Sequence, residues 1–201
     1  ICGDCGEYFG SKVWHNNQPY RKTIWRCNGK YAGTDRCQTP NLDEEIIKGK
    51  FVEAFNQLFD CKDMVLADLR VVLETLADFT EIDAQIEEAT QELTVVVELT
   101  QRCIAENSHN TIDQTTYAAR YAELDRRYTA ANENLEQLRQ AKQDREREAE
   151  VIAAFMEELA SRDGVLEAFD DKLWLVSIDK AVVHRNGRIL FHFYGRVEIC
   201  R

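Results

Sequence analysis

Two cysteine pairs open the chain. Cys2-x2-Cys5 is followed at once by Gly6, and Cys27-x9-Cys37 supplies a second, looser pair. The first pair matches a zinc knuckle, in which backbone N–H groups point at the sulfurs and the glycine permits the tight turn. Four thiolates suit a tetrahedral Zn2+, and the 21 residues between the pairs leave room for a two-stranded ribbon. Disulfides and unrelated thiols are the competing readings. Clustered spacing, and the lack of a secretory signal, favour metal in a reducing compartment. His15 is an alternative ligand in place of one cysteine, although an exposed strand histidine is the plainer reading. A site closed by four protein ligands has no open position for water or substrate, so such a zinc folds its domain and does not catalyse. Cys61, Cys103 and Cys200 have no partner at ligand spacing and read as ordinary half-buried thiols.

The sulfurs need a ribbon to hold them. "SKVWH" and "YRKTIWRC" flank the turn-rich "NNQP" and predict a hairpin. With Cys27 facing the metal, strand parity places Trp25 and Thr23 on its side and Arg26, Ile24 and Lys22 on the other. Residues 1–40 carry six basic side chains against three acids, and 172–201 carry six against two. With a net charge of −11 this leaves 41–171 at −18. A polyanion would meet the basic ends and be repelled by the centre. Alternating basic and aromatic side chains on a rigid ribbon suit phosphate and base-edge contacts. The candidate DNA contacts are Lys12, Trp14, His15, Arg21, Lys22, Arg26, Lys30 and Arg36. A soluble ribbon with a solvated charged face is the competing reading.

Between Gly49 and Gly164 there is neither Gly nor Pro, a gap of 114 residues rich in Glu, Gln, Ala, Leu and Arg. That composition reads as long helix. From Tyr117 the apolar positions run Tyr121, Leu124, Tyr128, Ala131, Leu135 and Leu138. They resume at Ala149, Ile152, Met156 and Leu159, after Lys142 and Arg145 take the same seam. Alternating fours and threes over six repeats make a heptad pattern. The preceding stretch from Leu66 to Val96 is less regular but still of helical period. The polar "ENSHNTIDQ" separates the two, with Asn110, Thr111 or Asp113 available as a cap. A short link makes the helices antiparallel neighbours, a hairpin of roughly 60 Å at about 1.5 Å per residue. Downstream, β-branched and aromatic runs flank Asn186-Gly187 and predict a β-hairpin, which needs something to pack against.

The expected fold is therefore α+β: a small zinc-ribbon β domain completed by a C-terminal β-hairpin, with a long antiparallel helical coiled-coil hairpin inserted. Its parts are 1–60 (zinc ribbon), 61–160 (arm) and 161–201 (helix and hairpin). No run of 18 apolar residues and no basic-then-apolar leader is present, which argues against a membrane span or signal peptide. A chain that begins inside a cysteine motif, without an initiator Met, is expected to be a piece of something larger.

The order of these parts resembles the C-terminal region of the large serine recombinases, the serine integrases and related transposon resolvases. The likeness rests on C-x-x-C-G, "YRKTIWRC", a later Cys and "TPNLDEEII". It continues through "TIDQTTYAARY" in the helical stretch and the closing "FDDKLW" and "DKAVVHRNGRILFHF". The resemblance implies structural Zn2+ on Cys2, Cys5, Cys27 and Cys37, and a zinc domain that helps read a double-stranded DNA attachment site. It also implies a coiled-coil arm that contacts other recombinase subunits, its tip at about 104–116 including Ile104 and Ile112. The serine nucleophile of such proteins lies on a separate domain, and nothing here matches its surroundings. The fragment is thus expected to be no enzyme itself, cytoplasmic, and of bacterial, phage or transposon origin. A zinc-capped coiled-coil adaptor without specific DNA binding is the alternative. An enzyme ranks last, since no Gly-rich phosphate loop, nucleophile motif or His–carboxylate signature appears.

Overall fold

Alternation in the first forty residues produces a ribbon. In the computed structural model, which describes residues 1–15, 18–19, 21–31, 36–109 and 113–201, β1 (Phe9–Trp14) pairs antiparallel with β2 (Lys22–Cys27). Phe9 lies opposite Cys27 and Trp14 opposite Lys22. The short β3 (Leu42–Asp43) joins the far edge of β2, setting Ile24 against Asp43 and Trp25 against Leu42. Asp43 then caps α1 (Glu44–Asp60), its carboxylate accepting from the Glu45 N–H at 3.2 Å, with Glu44 and Glu45 in the first turn where the helix dipole favours negative charge. Trp25 donates its indole N–H to Glu44 at 3.1 Å and ties the ribbon to that helix.

The C-terminal residues form a three-stranded sheet where a hairpin was expected. β4 (Ile178–Val183), β5 (Ile189–Phe193) and β6 (Val197–Cys200) run antiparallel in that order. The Asn186-Gly187 turn takes the longer of two available forms. Gly187 N–H bonds the His184 carbonyl at 2.9 Å, His184 N–H bonds Arg188 at 2.9 Å, and only Gly187 (φ 81°) is left-handed. That is a type I turn closed by a left-handed glycine, not the two-residue turn that Asn-Gly most often marks. β6 follows a second turn in which Gly195 and Arg196 both take positive φ. Gly195 is also held by space: a Cβ there would stand 2.0 Å from the side chain of Leu69.

Ile189, Phe191 and Phe193, alternating along β5, are all buried. Phe51 of α1 lies at the centre of their aromatic cluster, 6.1 Å from Phe191, 5.0 Å from Trp174 and 5.6 Å from Phe169. Phe155, near the end of α4 (Gln114–Ser161), stacks on Phe193 at 6.2 Å. Each such ring contributes roughly 1.5–3 kcal/mol by leaving water. Trp174 belongs to α5 (Asp171–Ser177), capped by Asp170. The first three residues run beside β4, with Gly3 N–H on the Val183 carbonyl (2.8 Å) and Val183 N–H on Ile1 (2.9 Å).

The Gly- and Pro-free stretch does not begin as one helix. α1 gives way at Cys61 to α2 (Lys62–Ala77), and α3 (Thr80–His109) starts only after a break at Asp78 and Phe79. At that break, without glycine or proline, the Asp78 carboxylate accepts from Thr80 N–H at 3.1 Å, a local side chain-to-backbone bond that competes with continuing the helix. α3 and α4 run antiparallel: Asp83 meets Lys142 (2.7 Å), Glu92 meets Arg127 (2.7 Å) and Glu106 meets Arg120 (2.8 Å), rising numbers on one against falling numbers on the other. Ile82, Ala89, Val96 and Cys103 are buried at a seven-residue interval. Cys103 is therefore a core residue, not half-buried. On α4 Leu124 and Leu135 are buried, while Tyr121 and Tyr128 of the same seam stay 40% and 45% exposed. Asp113 caps α4 by accepting from Thr116 N–H at 2.9 Å; Asn110 and Thr111, the other candidate caps, lie outside the described residues. The chain divides into two compact units, Ile1–Leu73 with Glu150–Arg201, and Glu74–Ala149. No helix among the described residues is long and apolar enough to cross a membrane.

Candidate metal centre

Two glycines shape the cysteine loops. Gly6 takes φ +76°, the left-handed conformation that lets the first loop close with Gly6 N–H on the Cys2 carbonyl at 2.9 Å. Gly29 serves the second loop through space: a Cβ there would lie 2.9 Å from Cys5 Sγ and 3.5 Å from Cys27 Sγ. The turn Asn28–Lys30 carries it, and Cys37 N–H closes back onto the Gly29 carbonyl at 3.3 Å.

These loops bring Cys2, Cys5, Cys27 and Cys37 together, all four sulfurs within 4.8 Å of one another. Cys2 and Cys37 are 3.5 Å apart, and Cys5 and Cys27 are 3.4 Å apart. A tetrahedron with Zn–S bonds of ~2.3 Å has edges of ~3.8 Å, so the donor set fits zinc in number, element and size. The electrostatics agree. Burial opposes ionisation of Cys2, but the Thr39 hydroxyl and the backbone N–H groups of Cys5 and Asp4 bring it down to about 6. Burial, then the neighbouring Cys5 sulfur, pushes Cys27 up to about 12. Four crowded thiolates are mutually repulsive unless a cation sits among them, and a dication removes that obstacle. Zinc here is structural, with every ligand supplied by protein. His15, an exposed residue at φ 57°, is not part of the cluster. Cys61 and Cys200 also lie outside it.

The predicted DNA contacts are only partly gathered. Cross-strand pairing puts Trp14 beside Lys22, Lys12 beside Ile24 and Gly10 beside Arg26 on the ribbon face opposite Cys27. That face is not wholly solvated, since Ile24 is 5% exposed. Tyr31, which the sequence reading did not name, also lies against this face, with Lys12 over its ring at 4.3 Å and Arg26 at 4.4 Å. Lys12, with Arg26 adding to it, holds the Tyr31 phenol below its ordinary pKa. Tyr31 follows "CNGK", and an aromatic so close to a cation-rich strand was the available signal. Lys22 is paired with Asp43 at 3.3 Å, and Lys30 donates to Asn41 at 2.9 Å. Arg21 and Arg36 are exposed beyond the ribbon face, and Trp14 is 43% exposed. At the other site named from sequence, Ile104 is 47% exposed; Ile112 lies outside the described residues.

Among curated proteins and solved structures no significant match to the chain is found. A family model does match: residues 1–56, which hold all four cysteines and the whole ribbon, fit the recombinase zinc beta ribbon domain.

Proposed function

We propose that this chain is the DNA-binding and subunit-contacting part of a site-specific serine recombinase, whose catalytic serine is carried on a segment outside these 201 residues. The observation that carries the reading is the match of residues 1–56 to the recombinase zinc beta ribbon domain. The placement of Lys12, Trp14, Lys22 and Arg26 on the ribbon face away from the sulfurs supports it. Zinc would stiffen the ribbon so that this face meets the duplex as a preformed surface. Lys12 and Arg26 contact phosphates, while Trp14 and Tyr31 supply flat surfaces beside them. The paired α3 and α4 act as an antiparallel coiled-coil arm, and exposed Ile104 near its end contacts an arm of another subunit. Selection of duplexes from a random pool by the zinc-loaded chain tests the reading. Recurrent enrichment of one sequence is expected. A pool that stays random after repeated rounds would instead fit a zinc-capped adaptor.

A further inference from the structure

The sulfur cluster has an outer layer that reaches far beyond residues 1–56. Thr39 is fully buried, and its hydroxyl oxygen lies 3.0 Å from Cys2 Sγ and 3.2 Å from Cys37 Sγ. The same hydroxyl is 3.2 Å from Asp4 Oδ2. That carboxylate oxygen also accepts from Arg185 Nε at 2.8 Å, and Arg185 sits in the β4–β5 turn, 181 positions away in sequence. The backbone brings the turn here through the Gly3–Val183 and Ile1–Val183 hydrogen bonds. The approach is close enough that a Cβ on Gly3 would lie 2.8 Å from His184 Nδ1.

A count of hydrogens gives this layer its logic. Zinc-bound sulfurs have lost their protons and only accept, and a threonine hydroxyl has one hydrogen to donate. Thr39 therefore faces three acceptors, two sulfurs and the Asp4 carboxylate, with a single hydrogen. The ionised Asp4 is the strongest competitor unless another donor satisfies it. Arg185 is that donor.

We infer that Arg185 is a positioning residue for the zinc site: by satisfying Asp4 it frees the Thr39 hydrogen for the thiolates of Cys2 and Cys37, so that metal retention depends on the C-terminal sheet. Outer-layer partners of metal ligands typically matter by 10–100-fold in metal affinity. The inference concerns the metal centre alone and does not rest on the DNA-binding reading.

The test is a double-mutant cycle in the full chain, read by zinc transfer to a colorimetric chelator and by the sulfur-to-metal charge-transfer band of the Co2+-substituted protein. Arg185→Ala and Thr39→Val should each speed zinc release about tenfold or more and shift that band. Asp4→Ala removes the competitor, so its release rate should stay within about twofold of the parent. Adding Arg185→Ala to Asp4→Ala should then change almost nothing. Arg185→Lys, which keeps a donor, should recover part of the loss. Unchanged release and band in Arg185→Ala would overturn the inference. So would an Arg185→Ala effect of equal size in the Asp4→Ala background, which would mean only that the turn had loosened.

Discussion

Asp170 illustrates what a single carboxylate does in this chain. It caps α5 by accepting from Leu173 N–H at 3.1 Å, and it also receives Arg162 at 2.8 Å. The Leu173 N–H first, and then Arg162, hold its carboxyl below the usual range. A carboxyl depressed in the folded state stabilises the fold above its unfolded pKa of about 3.9, and that stabilisation is lost as pH falls through the lower folded value. Asp170→Ala should therefore cost about 1 kcal/mol at neutral pH. The deficit relative to the parent should shrink toward zero below the carboxylate range. Urea titrations of both proteins at neutral and acid pH measure it, and a deficit independent of pH would contradict the assignment. Residues of this kind differ in how readable they are. Cys2 and Cys5 announce themselves by spacing, and Cys27 and Cys37 follow once four ligands are required. Thr39 and Arg185 carry no local signal, because their roles arise only when the fold brings the β4–β5 turn to the first cysteine loop.

Local pattern served the elements well wherever it had one period to follow. "ILFHF" alternates as a half-buried strand should, whereas the buried stripe of α3, Ile82, Ala89, Val96 and Cys103 at a seven-residue interval, was masked by the other apolar residues that made this stretch read as irregular. Two elements escaped. The break before α3 was hidden because composition without Gly or Pro speaks for helix, while Asp78 acts there through one local side chain-to-backbone hydrogen bond. β6 was hidden because its turn relies on positive φ at Arg196 as well as at Gly195, a choice that no Asn-Gly or Asp-Gly pair announces. Leu135 offers a test at this scale, being buried where α4 faces away from solvent. Leu135→Ala removes a large side chain from that layer and should cost roughly 2–5 kcal/mol, depending on how far the neighbours relax. The helical signal should melt earlier while the zinc content stays at one per chain. A melting curve identical to the parent's would mean that Leu135 is not packed as described.

For the molecule as a whole, the acidic centre and basic ends were legible from charge alone, whereas the make-up of the ribbon face proposed to meet DNA was not. Strand parity correctly separated Lys22, Ile24 and Arg26 from Cys27. It did not show that Ile24 is buried, that Asp43 engages Lys22, or that Lys12 and Arg26 both lie over the Tyr31 ring. Those contacts make Lys12 and Arg26 the pair to test, since Lys22 is already partly neutralised. The central claim is that this face of the zinc-stiffened ribbon contacts duplex DNA. Each phosphate contact contributes about −0.9 to the slope of log affinity against log salt. The decisive measurement is fluorescence anisotropy of a labelled random-sequence duplex, titrated with zinc-loaded chain at a series of salt concentrations. Binding should weaken steeply with salt, and Lys12→Ala combined with Arg26→Ala should reduce the magnitude of the slope by about 2. Equal slopes for the two proteins, or no binding by the parent even at low salt, would contradict the account.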